Sequence, residues 1–470
     1  MREYVLPGVV TAVAVAAALW LPRLALSVRA AFAVFFLAML ANGVALEVGP
    51  ATVRVELLAL ALLALAAVLD GRGTGPPPVR AGAVATAGLA AWWAASFLSS
   101  VLVAPEPVRS LFMLLNLTAG VAAYFLVLRL APHHAALVRT GTWILGAVCA
   151  VSLVLLVALP PETTPLVASS QGGGLPRVRG LALEPNLMGG ICAGWLAVMV
   201  HRRRQLSPRH LLLAVPVVVA LVLTNTRAAW VALAVVLAFW ALTRHGRVLR
   251  SPPALMVYAL GAGLLLARWG ELRAEPGSLV WKIENLLNFE IGTGSYRVDT
   301  WRLALADLDA ADAWLFGLGV NSYAQRHPVD ITGVTEGYVG NLWIAWLYDA
   351  GVVGVLAFAV LLLALWARSA DRLGALPVFL AVVLTSTSTN GFWMTFPWVF
   401  LALAATSARP AGPAGGAGRD RAGGLLAPEA ADRMTVAAGA GALDARRDGG
   451  APRDGGARGD DGARGDGGRR

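Results

Sequence analysis

Apolar runs separated by short polar breaks fill most of the chain, and their lengths decide the fold class before anything else does. A helix needs about 20 consecutive apolar residues to cross the hydrocarbon core of a bilayer. By that measure the pattern predicts spans near residues 4–21, 30–47, 52–69, 81–103, 108–130, 136–159, 186–201, 210–225, 228–243, 254–269, 341–367, 374–389 and 393–407, about 12 or 13 in all. The first two could instead form one hairpin or lie partly in the interface. One long stretch interrupts the rhythm: Gly292–Gly351 is polar and carries several acidic residues. Within it, Tyr296-Arg297-Val298-Asp299-Thr300-Trp301 opens an amphipathic helix running to about Trp314, with Trp301, Leu305, Leu308 and Ala311 or Asp312 at helical spacing. Gly317-Leu318-Gly319-Val320-Asn321 supplies the turn residues that end it. Asn341 opens the next span, which Asp349 and Gly351 interrupt early. The pattern predicts an all-α, polytopic membrane protein with one large loop. Its parts are an N-terminal bundle over 1–269, a loop domain over 270–340, C-terminal helices over 341–408 and a tail over 409–470.

Composition sharpens this reading. Hydrophobic residues make up 57% and charged residues 14% of the 470 positions, with a mean hydropathy of +0.67, whereas a soluble domain carries about 25% charged residues. The formal charge of +10 does not point to nucleic acid. The arginines sit in short loops between apolar runs, where the positive-inside rule accounts for them. Cys149 and Cys192 both lie inside apolar runs, which argues against a disulfide framework. The first apolar run leads directly into more of the same, the pattern of a multi-pass protein and not of a cleavable signal.

Arginine placement sets the expected orientation. The loop His201–His210 (HRRRQLSPRH) and the segment Arg244–Arg250 (RHGRVLR) are strongly basic and belong in the cytoplasm; loops Asp70–Arg80 and Arg129–Arg139 agree with them. Three separated segments then lie outside: Pro160–Asn186, Thr224–Arg227 and the polar stretch after Trp269. From Arg409 onward the chain is Gly, Ala, Arg and Asp with almost no large apolar residue. Such a segment buries too little surface to offset its ordering entropy, so a disordered cytoplasmic tail is expected. Its Arg-Gly-Asp triplets follow from low complexity.

Each outer segment has a bland reading and a chemical one. In Arg177-Val178-Arg179-Gly180-Leu181-Ala182-Leu183-Glu184-Pro185-Asn186, a proline in the first helical turn beside Glu184 and Asn186 is good capping chemistry. Capping leaves two arginines beside a carboxylate unexplained. In Thr224-Asn225-Thr226-Arg227, an arginine at the outer end of a hairpin runs against the positive-inside bias. It either snorkels to lipid phosphates or grips a diphosphate with its planar donor fork. Arg297 either pairs with Asp299 or a neighbouring acid on the surface, or joins the same anion site.

Taken together, Arg-x-x-Gly…Pro-Asn, the Thr-x-Thr-Arg hairpin, Arg297-x-x-x-Trp301 followed by Gly-Leu-Gly, and Asn341-x-x-x-x-x-Leu…Gly resemble the O-antigen ligase and Wzy-type polymerase superfamily, from Arg179 to about Val360. The resemblance implies a GT-C-like fold and a metal-independent glycosyltransferase of the bacterial inner membrane, with no cofactor. It implies an undecaprenyl-diphosphate-linked glycan as donor on the periplasmic side and a glycan or lipid as acceptor. The setting would be lipopolysaccharide or exopolysaccharide biosynthesis, with flippase and chain-length regulator proteins as partners. Carried over by position, Arg227 and Arg297 are implied to hold the donor's diphosphate, because cations aimed at the developing charge of the leaving group lower the barrier. Arg179 is a third contact, and Glu184, Asn186, Asn341 and Asp349 are candidate substrate-binding residues. One position departs from the pattern. The family places a histidine just before the asparagine that opens the span after the loop, and here that residue is Gly340. His327, Asp330, Glu336 or Asp349 could supply the missing base, since a base needs reach and a suitable pKa; His327 is the best of these by chemistry. Two other readings stay open, a peptidoglycan-type glycan polymerase and a polysaccharide transporter or flippase. Transporters show internal repeats and helices broken near mid-membrane. No such repeat is visible here.

Overall fold

The computed structural model describes residues 27–48, 51–71, 82–158, 167–169, 177–242, 284, 293–329 and 337–406. The spans expected at 4–21 and 254–269, and the tail from 409, lie outside these residues. In chain order the helices are α1 (Val28–Leu40), α2 (Val55–Asp70), α3 (Gly82–Leu102), α4 (Pro107–Arg129), α5 (His134–Ala158), α6 (Pro185–His201), α7 (Pro208–Leu212), α8 (Ala214–Leu223), α9 (Arg227–Leu242), α10 (Thr293–Ala310), α11 (Ser322–Arg326), α12 (Leu342–Ala367), α13 (Arg372–Ser386) and α14 (Phe396–Ala405). Two short antiparallel ribbons join them, β1 (Ala45–Val48) with β2 (Ala51–Arg54), and β3 (Ala168–Ser169) with β4 (Arg177–Val178). The protein is an all-α polytopic membrane protein. Among the described residues, Gly82–Leu102, Pro107–Arg129, Ala131–Ala158 and Leu342–Ala367 are long and apolar enough to cross a bilayer. Val28–Leu40, Pro208–Leu223, Arg227–Leu242, Arg372–Ser386 and Phe396–Ala405 are shorter apolar helices.

The apolar run expected to span 30–47 divides. Ser27 caps α1 by accepting from the amide of Ala30 at 3.2 Å, and the helix stops before Asn42-Gly43. Both residues are then used to dock the segment before α6. Asn42 Oδ1 accepts from the amide of Leu183 at 2.9 Å, and a Cβ on Gly43 would stand 3.1 Å from the Leu183 Cα. The β1–β2 ribbon follows, with Ala45 opposite Arg54.

The core is organised around α6. Nearly every residue from Pro185 to Met199 is buried, because α8, α9, α13 and α14 pack on it from different sides. Its small residues allow that approach: a Cβ on Gly194 would stand 2.6 Å from the Phe400 ring, and one on Gly189 would stand 2.9 Å from Ala229. Glycine inside a helix costs about 1 kcal/mol relative to alanine, which close packing of neighbouring helices offsets. A second block pairs α3 with α12 through fully buried Trp92, Trp346 and Phe358, the two indoles meeting edge to face at 5.1 Å.

The loops sort to two ends of the bundle. At one end the basic loop after α6 meets the ends of α12 to α14. Buried Arg202 donates to the carbonyls of Leu403 and Thr406, each at 3.0 Å, capping the negative end of α14, and the Ala370 amide bonds to the Ala405 carbonyl. At the other end lie 177–186, 224–227 and 337–341, with the start of α10.

Candidate functional site

Three helices, α6, α9 and α12, begin at this second end. Each N-terminus concentrates roughly half a positive charge on its unpaired amides, so their convergence already favours an anion. Arg177 fastens two of them. β4 sets it opposite Ser169, and its Nε donates to the Thr224 carbonyl at 2.9 Å. Its Nη2 donates to Asn186 Oδ1 at 2.9 Å and to Thr226 Oγ1 at 3.3 Å. The turn between α8 and α9 thereby sits on the first turn of α6. It is tight because Asn225 adopts φ 54°, a left-handed conformation that asparagine tolerates better than most residues. The turn ends at Arg227, the first residue of α9.

Arg297, in the second turn of α10, closes the group. It lies within electrostatic reach of Arg177 and of Arg227, with Glu184 and Tyr338 facing it. Burial holds the Arg177 guanidinium below its ordinary value, with Arg297 adding to the effect and Glu184 opposing it. The Glu184 carboxyl is pushed up, chiefly by burial, although Arg297, Arg177, Asn186 and Tyr338 all favour its ionised form. The Tyr338 phenol is likewise raised, first by burial and then by Glu184. Two guanidinium groups from separate segments, Arg177 and Arg297, thus face one carboxylate, and Arg227 lies near Arg297. Asp299, the bland partner for Arg297, pairs instead with Arg302 at 3.4 Å on the exposed side of α10.

Gly340 stands at the middle of this group. A Cβ there would lie 3.8 Å from Arg297 Nε, 3.6 Å from the Tyr338 ring and 3.4 Å from the Ser388 carbonyl. The position that carries histidine in the resembled family therefore abuts Arg297, and ordinary contact space is open beside it.

The other expected residues are placed differently. Arg179 lies just past β4, where the turn at Gly180 (φ 55°) redirects the chain; it donates to the Leu183 carbonyl at 3.4 Å. Asn186 is in the site, as Arg177's partner. Asn341 caps α12, accepting from the amides of Trp343 and Ile344 at 2.9 and 3.2 Å. Asp349 is 2% exposed and belongs to a clasp. Its Oδ1 accepts from the Asn321 amide at 3.1 Å, while its carbonyl accepts from the Gly319 amide at 3.0 Å and the Ser99 hydroxyl at 2.7 Å. His327 sits in a neighbouring corner. Its Nε2 bonds Asp307 Oδ2 at 2.7 Å, and the Tyr348 hydroxyl donates to the same oxygen at 2.8 Å. There it borders a cavity of about 170 Å³ lined also by Tyr296, Thr300, Tyr323 and Gly337. Asp330 and Glu336 lie outside the described residues.

Sequence reasoning chose Arg179 where the geometry brings in Arg177, and it passed over Tyr338 and the polar run Thr385-Ser386-Thr387-Ser388-Thr389-Asn390 at the end of α13. That run is visible in the sequence as a hydroxyl-rich break between apolar helices. Asn390 is 9% exposed and both its amide atoms lack a protein partner, as does the hydroxyl of Thr389.

Residues 211–359 match the family model described as O-antigen ligase. The matched region contains Arg227, Arg297, His327, Gly340, Asn341 and Asp349. It leaves out Arg177, Glu184 and the 385–390 run. No curated protein matches the chain. Over that region, from α7 to the middle of α12, the chain is similar to the O-antigen ligase family.

Proposed function

We propose that this membrane protein transfers or extends a glycan carried on undecaprenyl diphosphate, at the periplasmic face of the inner membrane, in O-antigen or exopolysaccharide assembly. The observation that carries this reading is the gathering of Arg177, Arg227 and Arg297 at one end of the bundle, with Glu184 facing Arg177 and Arg297. Like charges brought together in a partly dry site repel one another, and the repulsion is offset when a dianionic group sits among them. A diphosphate leaving group is such an anion, and guanidinium forks match its oxygens. Helix N-termini aimed at the same place add to the field. The basic loops at the opposite end of the bundle suit a cytoplasmic location, which puts the arginine end outside, where lipid-linked glycans are assembled into polymers. The ends of α6, α9 and α12 would hold the diphosphate, and an acceptor hydroxyl would attack the anomeric carbon from the opposite side.

Replacing Arg227 or Arg297 by alanine should abolish mature surface polysaccharide while the protein remains inserted. Loss of one charged contact to a developing anion costs about 10²–10³ in rate. Surface glycan retained at parental levels in both variants would sink the assignment. The polysaccharide profile of a deletion strain separates the two branches of the family. Lost long chains with one repeat still attached mark a polymerase, and lipid-linked chains that accumulate without transfer mark a ligase.

A further inference from the structure

We propose that Glu184 is the general base that activates the acceptor hydroxyl, filling the role that the family's histidine leaves vacant at Gly340. This rests on the donor reading above, since it needs the diphosphate to lie on the arginines. The first argument is shared neighbours. Gly340 abuts Arg297 and the Tyr338 ring, and the same two residues face the Glu184 carboxylate. Glu184 and position 340 thus share Arg297 and Tyr338 as neighbours.

The second argument is spacing. Glu184 lies within electrostatic reach of Arg177 and Arg297, yet among the described residues it forms no ion pair within 4.0 Å with either. Asn186 Nδ2 lies 3.5 Å from its Oε2, and Tyr338 faces it as a second hydrogen-bonding neighbour. A carboxylate used only to neutralise arginines would close on them, as Glu56 does on Arg54 at 3.3 Å. Glu184 instead occupies the N-cap position of α6 without making the capping hydrogen bond.

The third argument concerns the rival. His327 is tied to Asp307 and lies 4.4 Å, ring centre to ring centre, from Tyr323, beside a cavity lined also by Tyr296 and Gly337. Arg177, Arg297, Tyr338 and Asn186 are the groups that face Glu184, and burial outweighs all of them in raising its pKa. A base is most effective when its pKa approaches the working pH.

The step balances as follows. The acceptor hydroxyl gives its proton to a Glu184 oxygen, and its electron pair forms the new bond to the anomeric carbon. The bond from that carbon to the phosphate oxygen breaks, and the pair leaves on undecaprenyl diphosphate, whose charge the arginines hold. The proton then passes from Glu184 to water.

The test uses the full chain in lipid nanodiscs, with radiolabelled undecaprenyl diphosphate as binding probe and lipid-linked oligosaccharide extracted from the parent strain as donor. E184Q should bind undecaprenyl diphosphate within about twofold of the parent, which also certifies its fold, while transfer falls about 100-fold or more. The parent's rate should fall on acidification as the carboxylate protonates, and the residual rate of E184Q should lack that limb. H327N should stay within a few fold of the parent. Transfer by E184Q within threefold of the parent, an acid limb that persists in E184Q, or loss of rate confined to H327N would each overturn the base. If the parent chain does not retain undecaprenyl diphosphate, or R297A retains it fully, the donor reading itself fails and the base falls with it.

Discussion

Two polar regions lie within this apolar bundle, and they solve the same problem in opposite ways. In the clasp between 314–321 and α12, the backbone is answered internally, although Asp349 Oδ2 has no hydrogen-bond partner among the described residues. Helix α12 breaks at Gly351 (φ 68°, ψ −171°), and the backbone groups it frees are taken up by the loop. The amides of Leu318 and Gly319 bond to the carbonyls of Tyr348 and Asp349, and those of Val352 and Val353 to Trp314 and Leu315. Around Arg177, Arg227 and Arg297, charges of one sign are brought together, with Glu184 as the acid that faces Arg177 and Arg297 among the described residues. An internally satisfied polar region reads as architecture, and one left electrostatically incomplete reads as a place for a ligand. Both regions draw on the same kinds of residue, so the distinction lives in the pairing.

The largest expected effects come from breaking the clasp. A Cβ on Gly351 would stand 2.3 Å from the Leu315 backbone and one on Gly317 2.5 Å from the Ala350 amide nitrogen, both at positive φ. Left-handed strain of about 1–2 kcal/mol adds to overpacking of about 1–3 kcal/mol. G351A and G317A should therefore lower the melting temperature sharply and reduce the yield of monodisperse protein. R297A should do the reverse, losing transfer while its melting temperature stays at or above the parent's, because a repelling cation has gone. A melting temperature for R297A as low as that of G351A would erase the contrast.

Asp349→Ala sits next in size. It strips the Asn321 amide of its acceptor in a place water does not reach, which costs about 1–3 kcal/mol, and it should leave undecaprenyl diphosphate binding intact. A variant as stable as the parent that no longer binds the probe would move Asp349 from the clasp to the site. Smaller still is Gly340→Ala, whose methyl meets only ordinary contacts and should change stability by no more than about 0.5 kcal/mol. Its histidine counterpart tests the base. G340H added to E184Q should regain at least about tenfold in rate, since the imidazole would enter beside Arg297.

Much of this was legible in the sequence because it depends on local pattern. Apolar runs gave α3 to α6, α9 and α12 to within two residues at each end, and the Gly-Leu-Gly turn and the early break at Gly351 were visible as punctuation. Arg227 stood out because arginine at the end of a hairpin away from the basic loops runs against the expected charge bias, and Arg297 through the motif resemblance. What escaped is set by contacts distant along the chain. Arg177 and Arg179 are two residues apart and chemically alike; only the end of β4 and the turn at Gly180 separate their fates. Asp349 looked like a site residue because an acid in a span is costly, yet its partner Asn321 lies 28 positions away. The division of the first apolar run at Asn42-Gly43 depends on Leu183, which no window around residue 42 contains.

The smallest expected effect is also the one that most directly joins the comparison to chemistry. Glu184 is held above its ordinary value, chiefly by burial, so the folded chain binds that proton more tightly than the unfolded chain does. The sign follows from linkage: the stabilisation is full below the unfolded value of about 4.3 and is lost as pH rises through the higher folded value. Above the folded value the site holds an ionised carboxylate at a net cost, despite two arginines nearby. E184Q removes the ionisation. Its melting temperature should be slightly above the parent's at neutral pH, and it should lack the parent's decline between acid and neutral pH. An E184Q variant less stable than the parent across that range would mean that Glu184 chiefly serves to neutralise Arg177 and Arg297. The arginine group would then be an internally balanced network like the clasp, and the difference between the two regions would vanish.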